Sequence, residues 1–329
     1  MPAQSKTAFL ARFREVGILV FLIVIMVLTS LKAHQFLTIE NLQNILLDIP
    51  LIIVIAMGMT LTIISRNIDL SVGSMLGLSA MLVGMTFRAN PNLPIIVAMG
   101  LGIGIGLIMG AVNGFLVTRI RVPAIIATLA TLSIYRGLIF IVSDGRQIDG
   151  KDLPDSLMRL SQSSSIGIPI IVLLALVIAL ATHLFLRTQR IGREIYAVGS
   201  NPVAARLRGI AVDRTLFLIF TITGGLSGLA GVMYASRFGF VNPGQTGTGF
   251  ELSVIAATVI GGTDVFGGSG SVLGTLLGCL LLGVINNALT VTDLSATWQL
   301  AVYGAIILVA VFADSLIRGR LHASTQEGI

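Results

Sequence analysis

Hydrophobic and polar positions in this chain fall into long blocks. Apolar runs of about 16 to 26 residues are separated by short polar stretches, and a helix of that length crosses a ~30 Å hydrocarbon core. Ten runs can be marked, at residues 16–31, 49–64, 70–87, 93–118, 122–142, 168–186, 216–235, 250–266, 272–291 and 298–313. The pattern predicts an all-α polytopic membrane protein with about ten transmembrane helices. It divides the chain into an N-terminal tail over 1–15, a transmembrane domain over 16–313 and a C-terminal tail over 314–329. Inside the domain two polar stretches stand out, 143–167 and 187–213.

Composition agrees with that division. Hydrophobic residues make up 55% of the 329 and charged residues 11%, against about 25% charged in a soluble globular chain. The formal charge of +6 raises the question of nucleic acid. The arginines, however, sit at the ends of apolar runs and the three lysines form no patch, so no nucleic-acid partner is expected. With the N-terminus inside, fourteen of the 21 lysines and arginines fall on inner segments, six on outer ones, and Arg136 alone lies within a span. The positive-inside rule then places both termini in the cytoplasm, 143–167 outside and the basic 187–213 loop inside. No small-residue cleavage site follows the first apolar run, so it is expected to remain as a span. The one cysteine, Cys279, permits no intrachain disulfide and reads as a packing residue.

One interruption of the apolar pattern asks for a reason. The stretch SRNIDLSVGS, residues 65–74, places Arg66, Asn67 and Asp69 between two spans and follows them with small residues. Asp69-Leu70-Ser71-Val72 at the start of the third span is echoed by Glu251-Leu252-Ser253-Val254 at the start of the eighth. Gly110-Ala111-Val112-Asn113 in the fourth is echoed by Gly283-Val284-Ile285-Asn286 in the ninth, and Tyr135 in the fifth by Tyr303 in the tenth. The offsets of 182, 173 and 168 residues keep their order and drift one way, as loop lengths would make them drift. Under the orientation above, the third span runs outward and the eighth inward, so the repeat is inverted. Transporters use that arrangement to place a substrate path between two halves. Asp69 then has two readings. It can cap the free N–H groups of a helix, or it can present hydroxyl-binding groups to a cavity.

Other patterns carry less. Gly145 to Lys151 has the G-x-x-x-x-G-K spacing of a phosphate loop, but Asp152 stands where Ser or Thr is needed and no strand precedes it. The glycine-rich 261–271 stretch joins two spans and reads as a tight turn. His34, His183 and His322 have no partners at metal-ligand spacing, and no nucleophile–base pair is suggested. Neither a metal, a cofactor nor a catalytic residue is expected in this chain. Within the basic loop, Asn201-Pro202-Val203-Ala204-Ala205-Arg206-Leu207-Arg208-Gly209 reads as a short bounded helix. Asn201 suits the N-cap, Pro202 the first helical position and Gly209 the left-handed residue that stops a helix. So short a helix needs a partner to pack on. The alternative is a solvated loop whose arginines only fix topology.

Several of these stretches resemble the membrane-spanning permease subunits of bacterial carbohydrate-uptake ABC transporters, the ribose, xylose, arabinose, rhamnose and autoinducer-2 group. They are Asn67 to Ser74, Val122 to Leu129, Ile134-Tyr135-Arg136-Gly137, Ala197 to Asn201, and Ile260-Gly261-Gly262-Thr263 through Leu273-Gly274. Together they cover about residues 40 to 315. Arg66-Asn67 and Gln245-Thr246-Gly247-Thr248-Gly249 look most like the autoinducer-2 and rhamnose branch.

The resemblance implies an ATP-driven importer of a sugar or sugar-like polyol in the bacterial inner membrane. ATP would be bound by separate cytoplasmic subunits, solute delivered by a periplasmic binding protein, and the path shared with a second permease copy or a related permease. It implies further that the 201–209 helix docks on the ATPase, with Asn201, Ala204, Ala205, Arg206, Arg208 and Gly209 forming the coupling site. Neutral sugars are bound by hydroxyl and amide groups with an aromatic face for the ring. On that basis Asn67, Asp69, Asn113, Thr131, Tyr135, Glu251 and Asn286 are expected to border the path; Thr128, Thr131 and Tyr135 share one stripe of the fifth span. Helix-to-helix hydrogen bonding is the other reading of the two asparagines. The rival function is an ion-coupled secondary transporter, which would want carboxylates deep in several spans; only Asp69, Glu251 and Asp264 come near.

Overall fold

The computed structural model describes residues 3–165 and 168–292, together with 298, 300–305 and 308, with residues 3–15 described by their backbone alone. Its α-helices are α1 (Ala3–Lys32), α2 (Ile39–Ile64), α3 (Val72–Ala89), α4 (Ile95–Thr118), α5 (Ala124–Ser143), α6 (Asp155–Gln162), α7 (Ile170–Thr188), α8 (Arg190–Ser200), α9 (Pro202–Leu207), α10 (Val212–Phe238), α11 (Phe250–Ile260) and α12 (Val272–Val291). Seven of them, α2, α3, α4, α5, α7, α10 and α12, are long and apolar enough to span a membrane. The protein is an all-α, multi-pass membrane protein. The C-terminal tail 314–329 and most of the expected tenth span, 298–313, lie outside the described residues, although 300–305 are helical.

One boundary differs from the expectation in a way that matters. The eighth span was expected over 250–266, but α11 stops at Ile260. Eleven residues rise only about 16 Å, roughly half of the hydrocarbon core. Gly261 and Gly262 turn the chain, with Gly262 in the left-handed region at φ 98°. Hydropathy alone joined a half-helix to its turn, because the glycines and Val265-Phe266 extend the apolar run.

The packing repeats with inversion. α2 lies against α10; α10 packs on α3 and α4, and α2 packs on α11 and α12. Each tyrosine of the repeat bonds toward the helix that carries its asparagine. Tyr135 Oη donates to the Met109 carbonyl of α4 at 2.9 Å, and Tyr303 Oη donates to Asn286 Oδ1 of α12. The two halves thus share side-chain architecture as well as helix order.

The tightest seam is α4 on α10. Gly102, Gly106, Gly110 and Gly114 recur every four residues and face Gly224, Gly228 and their neighbours, so that a Cβ on Gly106 would overlap the Gly224 carbonyl. Without hydrophobic drive between helices in lipid, such small-residue rows let backbones touch and gain dispersion contact. The amphipathic α8 and short α9 lie across the end of the bundle that also carries Arg119 and Arg121, called here the basic end. Gly268 N donates to the Ile64 carbonyl and Tyr196 Oη to the Gly270 carbonyl, tying α8 and the α11–α12 turn to the end of α2. The opposite, far end carries Arg88, Arg237 and the short α6.

Candidate functional site

The polar interruption at 65–74 resolves into two devices. Arg66 and Asn67 close α2. Arg66 takes a left-handed φ of 68°, its N–H bonds the Ile63 carbonyl, and the Asn67 N–H bonds the Thr62 carbonyl. That is the pairing of a Schellman stop, with Arg66 where glycine is usual. Asn67 Nδ2 then turns back to the Ser65 carbonyl at 2.9 Å, so its side chain is engaged in this turn and bonds none of the other expected path residues.

Asp69 begins the second device. It is fully buried, and its Oδ1 accepts from the Ser71 N–H at 2.9 Å and the Ser71 hydroxyl at 2.6 Å. Asn113 Nδ2 reaches the Ser71 hydroxyl at 2.8 Å and Asp69 Oδ2 at 3.3 Å. Asp69 therefore closes the turn that leads into α3 and joins a polar cluster across to α4. Of the two sequence readings of Asp69, the geometry speaks to the first: it satisfies a free N–H, that of Ser71, at the approach to α3. Asn113 lies six residues before Arg119, so the cluster sits about 9 Å in from the basic end. Asn113 Oδ1 is buried with no partner among the described residues.

The fifth helix borders this cluster as its periodicity predicted. Ala127, Thr128, Thr131, Tyr135, Ile139 and Ser143 are its buried positions. Thr128 Oγ1 reaches the Ile68 carbonyl at 3.4 Å, and Thr131 Oγ1 bonds the Thr128 carbonyl at 3.2 Å.

Glu251 lies in the first turn of α11, where a carboxylate is favoured by the helix dipole. The starts of α3 and α11 meet: a Cβ on Gly73 would overlap both the Gly247 carbonyl and Glu251 Oε2. Glu251 Oε2 is buried and unpartnered among the described residues. Asp69 and Glu251 thus stand at the N-termini of two helices that start inside the bundle.

Asn286 is not part of this centre. It sits six residues before Thr292, about 9 Å in from the far end, which is the inverted image of the position of Asn113. The sequence grouping of seven residues is therefore split: Asp69, Asn113, Thr131 and Tyr135 in one cluster, Glu251 at the meeting of helix starts, Asn286 in the mirror cluster and Asn67 in a turn.

One residue the path list omitted belongs beside Glu251. Arg136 Nη1 donates to the Thr246 carbonyl at 2.7 Å, and its charge interacts with Glu251. It lies twelve residues beyond Ala124, about 18 Å along α5. Its signal was its solitude, as the one cation within a span.

At the basic end, α9 forms as its caps require. Asn201 Oδ1 accepts from the Val203 and Ala204 N–H groups at 3.0 Å, Pro202 opens the helix and Gly209 follows it at φ 80°. Ala205, expected as part of the coupling site, instead faces inward at 3% exposure, packed with Val198 and Val212. A six-residue helix must seat one face on its own protein, and Ala205 lies on it. Val203 and Leu207 stand out instead, 66% and 85% exposed. Arg206 is paired with Asp213 at 3.1 Å, and Arg208 is exposed. Burial pushes the Tyr196 hydroxyl above its ordinary pKa, so it stays a donor to Gly270.

Comparison with known proteins places the geometry. A family described as branched-chain amino acid transport system / permease component matches residues 41–311. The autoinducer 2 import system permease protein LsrC of Photorhabdus luminescens is 37% identical over 93% of this chain and 91% of its own. The protein of that name from Enterobacter sp. (strain 638) is 39% identical over 97% of this chain and 88% of its own, and that of Escherichia coli (strain K12 / DH10B) 36% identical over 97% and 92%. No solved structure matches.

Proposed function

The chain belongs to the family of branched-chain amino acid transport system permease components, and from that premise we propose that it forms the translocation path of an ATP-driven importer for autoinducer 2 or a closely similar sugar-like polyol. The observation that carries the reading is the convergence of two inverted helix starts, with Asp69 and Glu251, inside a chain whose relatives at 36–39% identity bear that import name. In this reading the protein sits in the bacterial inner membrane, the basic end is cytoplasmic and so are both termini. The chain binds no cofactor and catalyses nothing itself; ATP belongs to separate cytoplasmic subunits. A periplasmic binding protein delivers the solute to the far end, and a second permease copy or a related permease completes the path.

Asp69, Asn113, Thr131, Tyr135 and Glu251 border the path and meet the solute by hydrogen bonds, since a neutral polyol driven by ATP needs no proton relay. Asn286 borders it at the far end, and Asn67 supports it by fixing the end of α2. The ATPase docks on α9, where Asn201 and Gly209 bound the helix, Ala204 lies exposed beside Val203 and Leu207, and Arg208 faces the partner. Arg206 and Ala205 hold α9 to the protein. Movement of α9 reaches the helix starts through α8 and the Gly267–Gly270 turn.

The test is uptake by the chain reconstituted with its ATPase and binding protein, offered autoinducer 2, ribose, rhamnose and leucine. Uptake of autoinducer 2 that requires ATP inside supports the reading. Uptake that follows a Na⁺ or H⁺ gradient without ATP establishes the secondary transporter instead, and uptake of leucine alone overturns the substrate class.

A further inference from the structure

At the far end a cleft of about 420 Å³ opens between α2, α10 and α12, and none of the polar groups that line it on α2 and α10 stood out in the sequence. We propose that this cleft is the first binding site for the solute within the permease, shaped for a small uncharged ring with several hydroxyls; the proposal rests on the importer reading. Its volume falls in the range of small-molecule sites. Along α2 it runs from Asn41 to Ile52, eleven residues or about 16 Å, so its floor reaches the middle of the bundle. The floor holds Phe250, the residue before Glu251, which places the cleft directly over the meeting of the helix starts.

The hydrogen-bonding inventory selects the ligand. Arg237 is already engaged: its Nε donates to Asp48 Oδ1 at 2.8 Å and its Nη2 to Asn44 Oδ1 at 3.3 Å. Tyr303 donates to Asn286 Oδ1. Each of these bonds fixes an amide by its oxygen and leaves its NH₂ group, on Asn44 and on Asn286, with no protein partner among the described residues. Asp48 Oδ2 likewise remains available as an acceptor. Two donors and one acceptor around a half-open cleft match hydroxyls, which donate and accept. The rings of Phe238 and Phe250 supply apolar faces for the C–H side. A zwitterionic amino acid fits less well, because the charges of Arg237 and Asp48 already balance each other. At the mouth, Asn41 and Asn287 satisfy each other through two 2.8 Å bonds and join α2 to α12.

The experiment uses the complete transporter in membrane vesicles with the far face accessible. Cys279 is fully buried and gives little background. An Asn286→Cys chain, confirmed folded by its melting temperature, is treated with a membrane-impermeant maleimide, alone and with saturating autoinducer 2, ribose or leucine. Expected is reaction from the far face, slowed about tenfold or more by the polyol that the unmodified transporter takes up and unchanged by leucine. Asn44→Ala, on an exposed position, should raise the half-saturation concentration for uptake about tenfold, the loss of one neutral hydrogen bond, at unchanged maximal rate. A folded Asn286→Cys chain that does not react, or that reacts equally with and without a polyol the transporter carries, overturns the site while leaving the importer reading intact. Transport of leucine and no polyol overturns both.

Discussion

The α4–α10 seam and the α2–α12 cleft are the two inverted images of one contact, and they are packed in opposite ways. In the first, glycines at every fourth position bring two backbones together and leave no room for a solute. In the second, Asn286 occupies the depth that Asn113 occupies in α4. It faces a stripe of Asn41, Asn44 and Asp48 at i, i+3 and i+7 across a cavity of about 420 Å³. Small residues at helical spacing make a closed joint; amides at the same spacing make a wet one. A permease that alternates its access never has both of its gates open at once. In the proposed importer the glycine seam with the Asp69 cluster beneath it would be the shut gate, and the amide-lined cleft the open one.

The largest effect should come from breaking the seam. In Gly106→Ala the new methyl meets the backbone of Gly224, which cannot turn aside, so a loss of about 3 kcal/mol or more is expected. In the other half, Gly283→Ala meets the side chain of Ile49, which can change rotamer, and about 1 kcal/mol is expected. Thermal unfolding of the two variants in the same detergent checks the ratio. Equal losses would mean that the two contacts are not packed differently after all.

Next in size is the cluster under the seam. Asp69→Leu leaves the Ser71 N–H and the Asn113 amide without their acceptor, at a cost of about 2–3 kcal/mol, and uptake should be lost. Asp69→Asn keeps an oxygen for the Ser71 N–H, and uptake should stay within severalfold of the original. If Asp69→Asn abolishes uptake while inserting normally, the charge itself is required and a proton- or cation-coupled step has to be considered.

These two halves were unequally legible in the sequence. The Asp69, Asn113 and Tyr135 echoes were visible because Asn113 and Tyr135 stood inside apolar runs and Asp69 immediately before one. The far-end cleft was not, because Asn41, Asn44 and Asp48 precede the apolar run at 49–64 and so fall outside the marked span. In the structure Thr38 caps α2 there, accepting from the Asn41 N–H at 3.4 Å, and the helix runs through Pro50. The stripe spacing of the three polar residues was the available signal. The half-length of α11 was hidden for the opposite reason, since glycines do not interrupt hydropathy. The caps of α9 were fully legible, being local. The inward turn of Ala205 was not, because which face of a short helix is buried depends on Val198 and Val212 elsewhere in the chain.

Arg136 lies beside the loop before α11, and its removal should have a middling effect. Arg136→Met takes the donor from the Thr246 carbonyl and the nearby cation from Glu251, for roughly 2 kcal/mol. If the guanidinium serves both groups, adding Glu251→Gln should recover part of that loss, with a coupling of about 1 kcal/mol in a double-mutant cycle. Strict additivity of the two changes in stability would separate Arg136 from Glu251 and leave it only a backbone clamp on the loop before α11.

The smallest effect is expected where the far-end loop is pinned. Arg88 Nη2 donates to Asp152 Oδ2 at 2.7 Å and to the Gln147 carbonyl at 2.8 Å, holding the 143–165 segment to the end of α3. The Arg88 hydrogen bond, followed by one from the Asp149 N–H, holds the Asp152 carboxyl below its ordinary pKa. A lowered folded value means that the contribution is complete above the ordinary carboxylate range and is lost only as pH falls through the lowered value. The pair is partly exposed, at 40% and 16%, so it contributes only a few tenths of a kcal/mol. Protection of the Asp152 and Leu153 amides against hydrogen exchange should therefore be the same at pH 5 and pH 8 and should fall slightly in Arg88→Met at both. The amides bond to the Asp149 and Gly150 carbonyls and report the loop directly. A protection that declines between pH 8 and pH 5 would assign the loop's anchorage to a group with a higher pKa than Asp152.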